Sequence, residues 1–185
     1  MCGAPIHEEH SHVVNIESRS LMCTCRSCYL LFTRDGAAQG KYRAVPDRYM
    51  FDPSFKLTPA QWDAMQIPVK MAFFFLNSAL DKVVAFYPSP AGATESLLSL
   101  ETWNEVMEAN PRFARFAPDV EALLILSTED GFECYLAPID ACYELVGLVR
   151  MHWKGFDGGE EAWRAIDDFF ASLRAKSGER VSELT

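Results

Sequence analysis

Apolar residues along this chain fall into short runs whose spacing alternates between strand-like and helix-like. Residues 10–17 alternate and are rich in valine and isoleucine, which predicts a strand. Glu17-Ser18-Arg19-Ser20 is a polar turn, and residues 21–25 return as a second strand. Residues 35–40 are small and polar and predict a linker. Residues 42–55 mix charges with prolines at no clean period, so irregular, partly extended chain is expected there. Thr58-Pro59 then opens a short helix, with Thr58 as its cap, Trp62 and Met65 on its body and Pro68 beyond its end.

Two apolar runs, 69–76 and 82–87, flank Asn77-Ser78-Ala79-Leu80-Asp81 and predict a hairpin. Both are almost continuously apolar, so the sheet they build should be covered on both faces. Pro88 to Gly92 breaks the second strand. Ser99 caps a helix over 100–109 that stops at Asn110-Pro111. A second hairpin is expected from 121–127 and 132–138, turning through Thr128-Glu129-Asp130-Gly131. Asp140 caps a mostly apolar helix running to Trp153. The last helix, 160–176, places Trp163, Ile166, Phe169, Phe170 and Leu173 at three-to-four spacing. The fold class that follows is α+β. A small N-terminal zinc-ribbon-like hairpin module occupies residues 1–34, and an antiparallel sheet of two hairpins packed with helices occupies 42–176. A frayed tail occupies 177–185. The larger unit carries its own aromatics, so it is expected to fold without the first 34 residues.

Composition narrows the function classes. The chain has 185 residues and a formal net charge of −9, from 26 acidic against 17 basic side chains. That charge repels phosphates, so nucleic acid and anionic membrane surfaces are poor partners. No apolar run approaches a membrane span, and the start carries His and Glu where an export signal would place basic and then apolar residues. A cytoplasmic protein is expected.

Candidate chemistry sits at the start. Four of six cysteines (Cys2, Cys23, Cys25, Cys28) lie beside three of four histidines (His7, His10, His12), a mixture that points to metal rather than disulfides. Cys134 and Cys142 sit in apolar patterns and read as core. Cys25-Arg26-Ser27-Cys28 is a CxxC, which aims two thiolates at one tetrahedral site, and Cys2-Gly3 reads as the end of a second knuckle. A hairpin turn of two or four residues sets His12 opposite Cys25, Val14 opposite Cys23 and Ile16 opposite Leu21, with His12 about 5 Å from Cys25. The expected ligands are therefore Cys2, His12, Cys25 and Cys28, a closed set that suits structural zinc; Cys23 and His10 are rivals for the fourth place. An iron–sulfur cluster on Cys23, Cys25 and Cys28 is the alternative metal. A redox CxxC belongs at a helix start after a βαβ unit, a context this sequence does not offer. His7-Glu8-Glu9-His10 lacks the spacing of a zinc-protease helix. Residues 1–34 hold three bases (Arg19, Arg26, Arg34) and three acids (Glu8, Glu9, Glu17), a neutral module better suited to protein than to phosphate.

The larger unit shows no phosphate loop and no nucleophile elbow. His152, at a helix end, reads as a residue satisfying local groups more readily than as a general base. Glu95, after Pro88-Ser89-Pro90-Ala91-Gly92, is an acid that could line a pocket, although Pro and Gly there also simply end a strand.

Several stretches together resemble one family of unknown function: Cys2-Gly3-Ala4-Pro5-Ile6, Glu9-His10-Ser11-His12, Cys23-Thr24-Cys25-Arg26-Ser27-Cys28, Ala85-Phe86-Tyr87-Pro88-Ser89-Pro90, Thr94-Glu95-Ser96, and 142–148. That family is encoded beside uptake-type nickel–iron hydrogenases, mostly in actinobacteria. Its members show a complete CxxCG at the start. The missing first cysteine here implies a truncated or mis-started N-terminus and leaves the fourth ligand open. The resemblance implies a setting in hydrogenase biogenesis rather than a reaction. The functional expectation is a non-enzymatic, zinc-containing accessory protein that contacts a hydrogenase subunit or maturation factor. A redox protein or small enzyme using the cysteines, or a pocket near Glu95 and His152, is the alternative.

Overall fold

A computed structural model describes residues 2–34, 36–97 and 99–179. The expected tail lies mostly outside these, from residue 180 onward. The fold is α+β, and its sheets are antiparallel throughout. Six strands form the larger sheet: β4 (Met50–Asp52), β5 (Met71–Asn77), β6 (Lys82–Ser89), β7 (Gly92–Ser96), β8 (Glu121–Thr128) and β9 (Gly131–Pro138), in the order β4-β9-β8-β5-β6-β7.

Strand alternation divides the core between two faces. On one face Met71, Phe73, Leu124 and Tyr135 pack under α4 (Ile139–His152) and α5 (Gly159–Glu179). On the other, Ala72, Phe74, Leu123, Ile125 and Cys134 pack under Trp62 of α2 (Pro59–Ala64) and Trp103 and Val106 of α3 (Leu100–Ala109). Coverage on both faces explains the unbroken apolar runs. Phe74 stacks on Trp103 with ring centroids 4.7 Å apart. Thr58 accepts from the Gln61 backbone while the Gln61 side chain accepts from the Thr58 backbone, so α2 begins where the sequence placed it. Cys134 and Cys142 are fully buried core thiols. Among the described residues, no helix is long and apolar enough to cross a membrane.

Two local expectations are corrected. The proline-rich stretch after Tyr87 is not only a break. β6 continues through Pro88 to Ser89, turns at Pro90-Ala91 and returns as β7, pairing Pro88 with Ala93. Proline fits because the β5–β6 ladder ends at the Phe73–Phe86 pair, so Pro88 owes β5 no hydrogen bond. Asp140 does not cap α4. The cap position is Pro138, and the Asp140 carboxylate instead reaches the N-terminal hairpin.

That hairpin, β1 (Ser11–Asn15) and β2 (Ser20–Thr24), belongs to a second sheet of order β2-β1-β3, where β3 (Tyr42–Ala44) pairs Val13 with Ala44. Val14 and Val45 lie in the same core cluster as Phe73, Ile139 and Leu145, and Ile16 and Leu21 pack against it. The smaller sheet thus rests on the α4 side of the larger one.

Candidate metal centre

The register of the first hairpin decides which metal-binding side chains meet. It pairs His12 with Cys23, Val14 with Leu21 and Asn15 with Ser20, not His12 with Cys25. The turn holds four residues, 16–19, one residue earlier than the expected 17–20. The Asn15 side chain accepts from the Glu17 and Ser18 amides, and Arg19 takes a left-handed backbone. Ile16 leaves the ladder and donates its amide to the Lys41 carbonyl, 2.9 Å away. Moving the turn by one residue shifts every cross-strand partner by two. Faces are kept and neighbours change.

After Thr24 the chain enters a six-residue helix, α1 (Arg26–Leu31), which the sequence pattern did not suggest. Cys25 occupies its cap position and Cys28 lies inside its first turn, so the helical backbone turns both thiols to one side. Tyr29 fastens this helix by donating its hydroxyl to the Val45 carbonyl at 3.1 Å. The N-terminal arm brings Cys2 alongside, with left-handed Gly3 (φ 72°) after it. The Cys2 and Cys25 sulfurs lie 3.6 Å apart, and the three sulfurs of Cys2, Cys25 and Cys28 lie within 4.8 Å of one another. In a tetrahedral site with zinc–sulfur bonds of about 2.3 Å, sulfurs stand about 3.8 Å apart, so the spacing suits one shared ion.

Electrostatics at the three thiols are asymmetric. The Cys2 thiol is held below its ordinary range, first by the Ala4 amide and then by the Cys28 and Cys25 thiols that hydrogen-bond its sulfur. Cys28 moves the other way. The Cys2 amide favours its thiolate, but giving up its proton to the Cys2 sulfur, burial, and Cys25 together outweigh that donor. The two shifts oppose each other, and a bound cation would draw all three sulfurs toward thiolates. Cys28 is buried, Cys25 half-buried and Cys2 exposed, so an ion could enter from the arm side. This group could hold a metal ion.

Three of the four expected ligands thus converge, and His12 stands elsewhere. It groups with His10 and Cys23, each offering one ligand atom within 4.8 Å of the others. Its Nδ1 lies 2.8 Å from Asp140 Oδ2. Nothing in sequence marks that partner, which comes from the first turn of α4. Residues Leu30 and Leu31, on the outer side of α1, are 52% and 66% exposed.

The two polar residues singled out in the larger unit lie apart from each other. Glu95, on β7, edges a cavity of about 150 Å³ between the hairpin and the sheet, whose walls mix apolar Val14, Phe75 and Phe86 with Arg19, Asn77 and Asp119. His152 ends α4 and lies 3.1 Å from Glu161, which also pairs with Lys154.

No curated protein and no solved structure matches this chain. One family model does, over residues 1–177, and its description is a family of unknown function, DUF5947. With nearly the whole chain matched, both the thiol cluster and the six-stranded sheet fall inside it, and the chain belongs to that family.

Proposed function

We propose that this chain is a zinc-containing accessory protein that acts through protein contacts and carries out no turnover chemistry of its own. The observation that carries the reading is the convergence of Cys2, Cys25 and Cys28 from an N-terminal arm and a helix start. Zinc is the ion of choice for a thiolate set of this size and spacing, and a fourth donor from beyond these three residues completes the tetrahedron. The ion ties the arm to α1, next to Leu30 and Leu31, whose exposed side chains offer a protein partner an apolar contact. The equal number of acids and bases in residues 1–34 and the net charge of −9 favour a protein partner over phosphate. The setting is the one that the sequence resemblance implies, assembly of a nickel–iron hydrogenase, with a hydrogenase subunit or maturation factor as partner.

Metal content and an absorption spectrum of the purified chain, beside Cys25→Ser and Cys28→Ser, test the first half. Zinc lost from both variants supports the reading. Visible absorption from iron and sulfide would instead favour the redox alternative, to which the CxxC at the start of α1 lends some support. Co-purification from cells making the hydrogenase tests the second half. Recovery of no hydrogenase or maturation protein, with either wild type or Cys25→Ser, would count against it.

A further inference from the structure

Beside the thiol cluster, the hairpin carries a second set of donors with no role so far. His10 immediately precedes β1, which carries His12, and the observed register puts Cys23 directly across from His12. The imidazole centroids are 4.7 Å apart with planes tilted by 58°.

The outer contacts of both rings fix which nitrogen is free. His12 Nδ1 is bonded to the Asp140 carboxylate, which accepts a proton. His10 Nδ1 lies 2.9 Å from the His7 carbonyl and 2.8 Å from the Glu8 carbonyl. Carbonyl oxygens only accept, so His10 Nδ1 carries hydrogen, and its Nε2 is left as a bare lone pair. That His10 Nε2 is buried and has no hydrogen-bond partner among the described residues. A buried acceptor without a donor costs free energy, and the spare lone pair asks for an electrophile. Its neighbours, His12 and Cys23, make no hydrogen bond to it, and the Cys23 thiol is only a weak donor. The three residues each offer one ligand atom, an imidazole nitrogen from each histidine and the Cys23 sulfur, and these lie within 4.8 Å of one another. An imidazole whose Nδ1–H is held by a carboxylate or carbonyl while Nε2 points at ligands is the usual arrangement of a metal-bound histidine.

We propose that His10 Nε2, His12 Nε2 and Cys23 Sγ form a second metal site, separate from the Cys2–Cys25–Cys28 cluster and built to take an exchangeable divalent ion of the zinc class. Two imidazoles and one thiolate are a borderline donor set, which excludes calcium and magnesium. Three protein donors leave a fourth tetrahedral position for water or a partner's side chain. Cys23 is exposed, so the ion can be reached from solvent. Asp140 acts as the positioning residue, holding the His12 ring and its tautomer. The inference stands independently of the proposed function, because the two groups share no ligand.

The test uses the full chain, stripped of metal and kept reduced, and titrated with cobalt(II) and with zinc. Cobalt is followed by its thiolate charge-transfer absorption, and zinc by elemental analysis. Wild type is expected to bind one ion more than His12→Ala or Cys23→Ser. The cobalt lost in those variants should carry the weaker charge-transfer band of a single thiolate. Cys28→Ser should keep this ion whatever happens at the thiol cluster, so a failure of the cluster to bind zinc is read separately. Asp140→Asn should weaken the same ion by about tenfold to a hundredfold, with the other ion unchanged. Circular dichroism of each variant checks that the hairpin remains folded. If a variant is unfolded, His10→Gln, which removes the third donor, replaces it. The proposal is overturned if His12→Ala and Cys23→Ser bind as many ions as wild type with equal affinity. It is equally overturned if a single ion disappears alike from Cys23→Ser and Cys28→Ser.

Discussion

His12 Nδ1 and Asp140 Oδ2 are 2.8 Å apart although 128 residues separate them in sequence, so one hydrogen bond joins the first hairpin to the first turn of α4. Both side chains are about three-quarters buried, which makes the contact more than a screened surface pair. A double-mutant cycle over His12→Ala and Asp140→Ala, measured by urea unfolding of metal-free protein, is expected to return a coupling of about 0.5–1.5 kcal/mol. Independent, additive effects would mean that this hydrogen bond adds nothing to the β1–β3 ladder and the apolar packing that also hold the hairpin.

Removing metal is expected to loosen the arm and α1 while leaving the larger sheet in place. Zinc held only by the folded chain adds about 2.7 kcal/mol at a free concentration one hundred times its Kd. A chelator should therefore lower the unfolding midpoint of wild type, and Cys28→Ser should start low and respond less, keeping only the response of an ion at His10, His12 and Cys23. Hydrogen exchange should localise the change to residues 2–34. A chelator effect of equal size in Cys28→Ser would place the stabilising ion elsewhere.

How far the site could be read from sequence depended on separation along the chain. The CxxC and Cys2-Gly3 announce themselves because thiols at short spacing have few other uses, and the structure brings those three sulfurs together. His12 went to the wrong neighbour because the pattern fixes which face a strand residue occupies but not where a four-residue turn sits. The Asn15 side chain and the Ile16–Lys41 hydrogen bond settled that, and both depend on folded neighbours. The helix α1 is six residues long, too short for a 3.6-residue period to register. The two hairpins, the long helices and the caps at Thr58 and Ser99 were legible because each is local. The Asp140 link was not, since nothing at position 140 distinguishes a cap from a long-range partner.

Glu121 is an almost fully buried carboxylate at the start of β8. It accepts from Arg48 Nε at 2.7 Å, from Arg48 Nη2 at 2.6 Å and from the Ala117 amide at 2.6 Å. Arg48→Ala leaves that charge short of two donors, for an expected cost of about 1–3 kcal/mol, eased by water entering from the exposed arginine side. Lysine should recover little, because an ammonium cannot fork across both oxygens. Adding Glu121→Gln to Arg48→Ala should restore part of the loss in denaturant titrations, since a neutral amide needs no counter-charge. If it deepens the loss instead, the carboxylate is stabilised mainly by Ala117 and its surroundings.

Acid stability should depend on Asp52, buried at the end of β4. Its carboxyl is held below its ordinary range by the Ser54 hydroxyl first, then by the Ser54 amide and by Arg112, against the opposing effect of burial. A folded-state pKa below the unfolded one binds fewer protons when folded. Its contribution is therefore complete above the unfolded value of about 3.9 and is lost as pH falls through the folded one. Ser54→Ala should raise the midpoint pH of acid unfolding, and Asp52→Asn should flatten the stability profile below about pH 4 while lowering stability at neutral pH. An unchanged acid limb in both variants would remove Asp52 from the account.

The first 34 residues should matter to the larger unit more than their composition suggests. Val14 is buried in the core cluster that holds Phe73, Ile139 and Leu145, and Ile16 and Leu21 cover the same cluster from the hairpin. Burying each such side chain is worth about 1.5–3 kcal/mol, so deleting the hairpin removes several kcal/mol from a total that is typically about 5–15. It also strips β3 of its partner strand, since Val13, Val14 and Asn15 pair with Ala44, Arg43 and Tyr42. A chain of residues 35–185 is therefore expected to unfold at lower urea than the full chain, with its cavity at Phe75 and Ile139 opened to solvent and binding a hydrophobic dye. The sheet itself should persist, because α2 and α3 cover its far face without any help from the hairpin. Equal urea midpoints and equal slopes for the two chains would show that the hairpin contributes nothing to this core. Loss of all cooperative unfolding would show the opposite extreme, a larger sheet unable to stand without β1.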